Sequence, residues 1–393
     1  MTFPARFSNL PPYAFPRLRS LLSGLEPGGD VVDMTIGSPM HPFPRWILDI
    51  LMEHADDFGG YPPNDGTPEL RNAIADWASA RYEISLDPDT QVFPLNGTRE
   101  GLFNATLALC AETKNNQRPV ILTPNPFYQV YAVAALAVDA EPIYVPATRE
   151  TGFLPDYRSL SPEILNRVVA AYICSPSNPQ GAVAGASYWI DLLDLAETYD
   201  FKIFADECYS EIYRDVAPLG ALTAAGRAQA DPERVVLFNS LSKRSNLAGL
   251  RSGFAASGPE NIARMKSLRN YAGAPLPKPL QRAAEKVWAD EAHVEANRQL
   301  YREKLDYADG LFAEIDGYVA PEAGFFLWLP VDDGEATAKQ LWTERGVKVL
   351  PGSYLGREYD GKNPGQTYIR AALVAPINEL QKGLTALKSC VYG

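Results

Sequence analysis

The sequence predicts an α/β protein, with a large domain built on a mainly parallel sheet and a smaller α/β domain after it. Three observations predict this. Short apolar runs alternate with amphipathic stretches through the middle of the chain, the pattern of strands joined by helices and so of a sheet covered on both faces. A proline cluster, Pro275-Leu276-Pro277-Lys278-Pro279, closes that region, and the C-terminal stretch returns to strand-like runs after a long helical pattern. At 393 residues the chain exceeds one small core and suits one large domain plus a smaller one.

Taken in order, the first 45 residues are Pro-rich and read as an irregular segment joining the small domain. The large domain is expected over residues 46–280. Its buried strands are Val120-Ile121-Leu122, Ile143-Tyr144-Val145, Val168-Val169-Ala170-Ala171-Tyr172-Ile173, Ile203-Phe204-Ala205 and Val235-Val236-Leu237-Phe238. Each is short and apolar, and most are rich in β-branched or aromatic residues; they end at Pro, Asp, Ser or Asn. Between two of them, Trp189-Ile190-Asp191-Leu192-Leu193-Asp194-Leu195-Ala196 has helical spacing. From Leu280 to about Ile315 the pattern predicts one or two helices. The small domain, residues 281–393, then offers Gly324-Phe325-Phe326-Leu327-Trp328-Leu329, Val347-Lys348-Val349-Leu350 and Thr367-Tyr368-Ile369-Arg370-Ala371-Ala372-Leu373 for a largely antiparallel sheet.

Composition narrows the function. The hydrophobic fraction of 46% and charged fraction of 21% are ordinary for a globular chain. The net charge of −12 leaves no basic excess for phosphates, so no nucleic-acid partner is expected. No apolar stretch reaches the roughly 18–20 residues of a membrane span, and the N-terminus lacks a signal-peptide pattern. A cytoplasmic enzyme with no membrane partner is expected. Cys110, Cys174, Cys208 and Cys390 show no paired spacing, and His41, His54 and His293 are scattered. No metal site and no Ser-His-Asp triad follows from any local spacing.

Sheets of this kind bind ligands beyond the carboxyl ends of their strands. Asp206 ends one strand, with Tyr209 three residues on. Ser240-Leu241-Ser242-Lys243 follows the next strand. Ser175-Pro176-Ser177-Asn178-Pro179-Gln180-Gly181 is a turn by composition. Asn96-Gly97-Thr98-Arg99-Glu100 opens an apolar-periodic helix, whose free backbone amides could take a phosphate. Singly these are weak signals: a lysine after a strand is usually solvated, and an aspartate there is as often a cap.

Together, and with Gly249-Leu250-Arg251-Ser252-Gly253 after the lysine, the four resemble the class I/II aminotransferases of fold type I over almost the whole chain. That resemblance implies a seven-stranded large-domain sheet, pyridoxal 5'-phosphate as cofactor, and a homodimer with shared active sites. It implies that Lys243 holds the cofactor as a Schiff base and moves the proton between substrate Cα and cofactor C4′. Asp206 is then the partner of the pyridinium nitrogen, and Tyr209 and Asn178 of the phenolic oxygen. Tyr128 matches the aromatic that stacks on the ring. Gly97, Thr98, Ser240, Ser242 and Arg251 match the phosphate cradle, with Arg99 beside them. Tyr61 matches a tyrosine that reaches the partner subunit's phosphate. Arg370 matches the guanidinium for the substrate α-carboxylate, helped by Gly37 and Asn178.

The residue types suit that chemistry. A protonated pyridine ring is the electron sink for a carbanion at Cα, and an ionised carboxylate keeps it protonated. At 4 Å and an effective dielectric of about 20, such a pair is worth ~4 kcal/mol before desolvation. A lysine must lose its proton to act as a nucleophile, which desolvation and nearby cations promote. Arginine binds both oxygens of a carboxylate at once.

Within the family, Arg244-Ser245-Asn246-Leu247, Asn96-Gly97-Thr98-Arg99-Glu100, Val349-Leu350-Pro351-Gly352-Ser353-Tyr354 and Tyr13-Ala14-Phe15-Pro16-Arg17-Leu18-Arg19 are most similar to N-succinyldiaminopimelate aminotransferases. Amino-acid and 2-oxo-acid substrates are implied, with 2-oxoglutarate as acceptor. A substrate with several carboxylates needs a second cation, for which Arg99, Arg17, Arg19 and Arg244 are candidates. Other donors, whether aspartate, acylornithine or aromatic, and a carbon–sulfur lyase reaction stay open at this stage.

Overall fold

The computed structural model describes residues 5–8 and 10–393. The described residues hold twelve strands, β1 to β12 in chain order. The large sheet holds β2 (Val92–Leu95), β3 (Val120–Asn125), β4 (Glu141–Pro146), β5 (Val168–Cys174), β6 (Lys202–Asp206), β7 (Val235–Ser240) and β8 (Gly253–Ala256). Their order is β2-β8-β7-β6-β5-β3-β4, and only β8 runs antiparallel to its neighbours.

Alternation along each strand divides the core in two. In β6, Ile203 and Ala205 pack with Trp189 and Leu192 of the helix Ala186–Tyr199. Phe204, between them, faces the other way, toward Leu102 and Tyr131 on the helices Thr98–Leu109 and Gln129–Ala137. Both faces are therefore apolar, and β5 is buried throughout. The apolar runs in the sequence mark β3 to β7 and leave out β2 and β8. Those two have four residues each, carry Pro94 or consecutive alanines, and lack the β-branched run that advertises a strand.

The second sheet is antiparallel, β11 (Leu350–Pro351), β12 (Tyr368–Ala372), β9 (Phe326–Pro330) in that order. Expected as one strand, the run Val347–Leu350 divides: β10 (Val347–Lys348) pairs instead with β1 (Val32–Asp33), in parallel. The N-terminal segment thus contributes a strand, and also a helix, Ala14–Leu21, where irregular chain was expected. Proline hides that helix, because Pro16 lies within its first turn, where a missing N–H costs nothing. Gly346, at φ +71°, lets the chain pass: a Cβ there would lie 2.5 Å from the Gly29 carbonyl oxygen.

Helix Lys278–Ala289 packs with helix Pro68–Tyr82, through Trp77 and Trp288, in the core beneath β8. A division at residue 280 falls inside this helix, and we propose to move it to the link before the helix Ala292–Phe312. Among the described residues, no helix is long and apolar enough to cross a membrane.

Candidate active site

Because β5, β6 and β7 are parallel neighbours, their carboxyl ends deliver three polar segments to one place. The Ser175–Gly181 turn follows β5, Asp206 closes β6, and a short helical turn, Leu241–Arg244, follows β7. A cavity of about 370 Å3 opens there, lined by Thr98, Arg99, Tyr128, Asn178, Asp206, Tyr209, Ser242, Lys243 and Arg251. A second, of about 270 Å3, continues from it past Lys243 to Gly37 and Arg370. Sequence positions from 37 to 370 therefore meet at one site.

Lys243 is desolvated, which pushes its ammonium down to about 8; Arg370 and Arg251 push the same way, against Cys208 and Asp206. Its Nζ donates to the Gly37 carbonyl oxygen and lies 5.4 Å from the ring centre of Phe325. Asp206 is buried, and burial raises its carboxyl above the ordinary range. Its partners are neutral donors: the Tyr131 hydroxyl at 2.7 Å and the Cys208 amide at 3.3 Å. Such a carboxylate favours a cation placed in the cavity before it. Arg370 has the opposite need. Burial lowers its guanidinium to about 10; it donates to Asn178 Oδ1 at 3.0 Å and the Thr35 carbonyl at 2.7 Å, while its Nε has no partner. A buried cation without a carboxylate is a site for one.

At the other end of the cavity lies a cradle for an anion. Gly97 sits at φ +83°, and a Cβ there would fall 2.0 Å from Arg251 Nη2. The missing side chain lets that guanidinium approach the first amides of the helix Thr98–Leu109, which carries no side-chain cap. Ser242 lines the cavity too. Ser240 does not: it is buried, its Oγ accepting from the Ser242 amide at 3.1 Å and bonded to Ser252 O at 3.0 Å and Ser242 Oγ at 2.8 Å. It shapes the turn instead of facing a ligand.

The structure sorts the candidate second cations. Arg99 lines both cavities, its Nε donating to the Tyr128 hydroxyl at 2.5 Å. Arg17 lies 3.7 Å from the ring centre of Tyr354 and pairs with Glu335; Arg19 is exposed and lines neither cavity. Arg244 is corrected outright. Only 1% exposed, it bonds the carbonyls of Val287, Trp288 and Asp290 and the Glu291 carboxylate. Both of its terminal amino groups are engaged within the fold. Tyr61 lines neither cavity and is 99% exposed.

Two features escaped the sequence. Tyr131, on the first helical turn after Tyr128, reads as a core aromatic and is one, stacking on Tyr172 at 4.4 Å; only the third dimension brings its hydroxyl to Asp206. Distant positions also assemble an Asp290–His293–Ser245 chain, with His293 Nε2 2.8 Å from Ser245 Oγ. Ser245 is wholly buried and faces Arg244, so this chain fastens the Lys243 turn and presents no nucleophile. Cys208 also lines the cavity, and burial holds its thiol well above its usual range.

Comparisons with known proteins agree. A profile of the family "Aminotransferase class I and II" matches residues 29–386. An LL-diaminopimelate aminotransferase of Dehalococcoides mccartyi is 32% identical over 396 residues, covering 98% of each chain. The crystal structure of an aminotransferase from Neisseria meningitidis superposes with a TM-score of 0.93 at 38% identity, over 98% of this chain and 99% of that one. A probable N-succinyldiaminopimelate aminotransferase from Thermus thermophilus reaches 0.82 at 27% identity, over 96% and 98%.

Proposed function

The chain belongs to the class I and II aminotransferases, which depend on pyridoxal phosphate, and from that premise we propose how its residues divide the work and which donor it takes. The site suits the cofactor. It offers a cradle for a dianion at Gly97 and Arg251, a buried carboxylate hydrogen-bonded only to neutral donors at Asp206, and a lysine near its neutral form at Lys243.

When bound, the cofactor supplies an aldehyde for the amine and a cationic ring that draws electrons from Cα. In the proposed division, Asp206 holds the proton on the ring nitrogen, with the Tyr131 hydroxyl keeping its carboxylate ionised against burial. Tyr209 and Asn178 hold the phenolic oxygen, and Tyr128 covers the ring. Thr98, Ser242 and Arg251 hold the phosphate; Ser240 acts on it through Ser242. Arg370 would fix the α-carboxylate so that the Cα proton points at Lys243 Nζ, the base that would take it from Cα and pass it to the cofactor's C4′.

The donor we propose is a diaminopimelate skeleton carrying an N-succinyl group, with 2-oxoglutarate as acceptor, in a cytoplasmic homodimer. The observation that carries it is the pair of guanidiniums, Arg370 and Arg99, lining one cavity together with Lys243, as a donor with carboxylates at both ends requires. The likeness to the Thermus protein supports the succinylated form; the name of the Dehalococcoides relative favours the free diamine as a second reading. Half-reaction spectroscopy decides. Mixed with N-succinyl-LL-diaminopimelate, the enzyme should shift the cofactor band to the ultraviolet faster than with LL-diaminopimelate, N-acetylornithine or aspartate. Fastest conversion by the free diamine gives the second reading. Release of ammonia with the visible band restored would make the enzyme a lyase.

A further inference from the structure

Asn239 is the residue of β7 just before Ser240, and it is 1% exposed. Its Oδ1 accepts from the Ser240 amide at 2.7 Å. Its Nδ2 faces three acceptors: Ser210 Oγ at 3.0 Å, Tyr82 Oη at 3.1 Å and the Glu207 carbonyl at 3.2 Å. The backbone ladder between β6 and β7 pairs Asp206 with Phe238 as its last register and ends where the Glu207 amide meets the Phe238 carbonyl at 2.9 Å. Beyond that point the two chains part, one from Asp206 and the other toward Lys243. The Asn239 carboxamide bridges the gap, from Glu207 O on one side to Ser240 N on the other. Ser240 Oγ then caps the Lys243 turn through the Ser242 amide. A pair of strands that needed only packing here would be served by an apolar residue, since a buried carboxamide must find all its partners.

We propose that Asn239 is a positioning residue for the reaction, its carboxamide fixing the separation between Asp206 and Lys243. Those two groups address opposite ends of one rigid ring, so their spacing admits little error. The inference rests on the roles assigned above to Asp206 and Lys243.

Three variants test it. Asn239→Leu removes all four contacts at similar volume. Asn239→Asp keeps the bond from Ser240 and loses the tie to the Glu207 carbonyl, since the hydroxyls of Tyr82 and Ser210 can turn to donate; it decides the matter should Asn239→Leu not fold. Thr223→Val is the control, removing a buried bond to the Tyr82 carbonyl, 2.6 Å in length, from the same region. Two quantities are read. In the apoprotein, the pH dependence of Lys243 acetylation by acetic anhydride is followed by mass spectrometry. In the holoenzyme, kcat and KM are measured separately.

Lys243 faces Asp206, Cys208, Tyr209, Arg251 and Arg370, and its wild-type midpoint is expected at about 8. Asn239→Leu should move that midpoint toward the ordinary value near 10.4 as the turn loosens into solvent. It should also lower kcat by roughly tenfold to a hundredfold with KM little changed. Asn239→Asp should move both readings the same way by less. Thr223→Val should lower the melting temperature and leave both at wild type. Asn239 variants that are merely less stable, with unchanged midpoint and kcat, would overturn the proposal. If wild-type Lys243 carries no cofactor, the underlying assignment fails instead, and the two failures are distinguishable.

Discussion

Arg370 carries a charge that this chain surrounds with neutral oxygens, an amide and a ring, Phe326, 4.2 Å away. Arg99, by contrast, is exposed at the cavity wall. The two should fail differently. Arg370→Ala is expected to raise KM for every amino donor. Arg99→Ala should raise it about tenfold or more for donors with a distal carboxylate, the value of a charged hydrogen bond of about 1.5–3 kcal/mol, and hardly at all for alanine. Steady-state kinetics over such a panel separates them, and equal effects of Arg99→Ala on all donors would remove it from the distal site. Lys243, Asp206 and Asn178 were legible in the sequence because each sits at or beyond the carboxyl end of a strand, where one-dimensional order already predicts a common edge. Tyr131 and Asn239 were not: a helical aromatic and a strand-end amide have no local mark that separates a tuned hydrogen bond from ordinary packing.

At the scale of elements, the Lys243 turn is held by its neighbours more than by itself. Arg244 reaches the last carbonyls of the helix Lys278–Ala289, where a cation meets terminal acceptors and the negative end of the helix dipole. Its guanidinium carbon also lies 5.2 Å from the Trp77 ring centre and 5.1 Å from that of Trp288. Arg244→Ala should therefore cost about 3 kcal/mol of stability, through the charged hydrogen bonds to buried carbonyls that are lost. It should not raise KM selectively for dicarboxylic donors. Chemical denaturation and kinetics on one preparation check both, and a selective KM effect at native stability would restore Arg244 as a substrate contact. In sequence, Arg244-Ser245-Asn246 looks like a specificity element beside a catalytic lysine. Its partners, Asp290 to Asn297, lie some fifty residues away, and only folding reveals that these residues anchor the turn.

Over the whole molecule, the site lies where the large sheet, the N-terminal segment and β12 converge, so strand order pointed to Asp206 and Lys243, the family resemblance to Gly37 and Arg370, and neither to Thr35. Thr35, Gly37 and Arg370 come from outside the large sheet. One surface remains unexplained by the monomer. Tyr61 is 99% exposed, Tyr271 92% and Phe58 61%, and Asn64 bonds Asn270 at 3.0 Å, bringing the first two segments together. Apolar exposure of this kind marks an interface. The proposed homodimer covers it with a second copy and uses Tyr61 there. Sedimentation should find a dimer, with Tyr61→Phe weakening cofactor retention in it; a fully active monomer would contradict the shared site.

The central claim is that Lys243 is the residue that bears the cofactor. Borohydride reduction of the purified holoenzyme, followed by peptide mass mapping, tests it most directly. The expected result is a pyridoxyl-phosphate increment on Lys243 in the wild type and none anywhere in Lys243→Ala, with turnover abolished. An increment retained in that variant, or one mapped to another lysine in the wild type, would contradict the account.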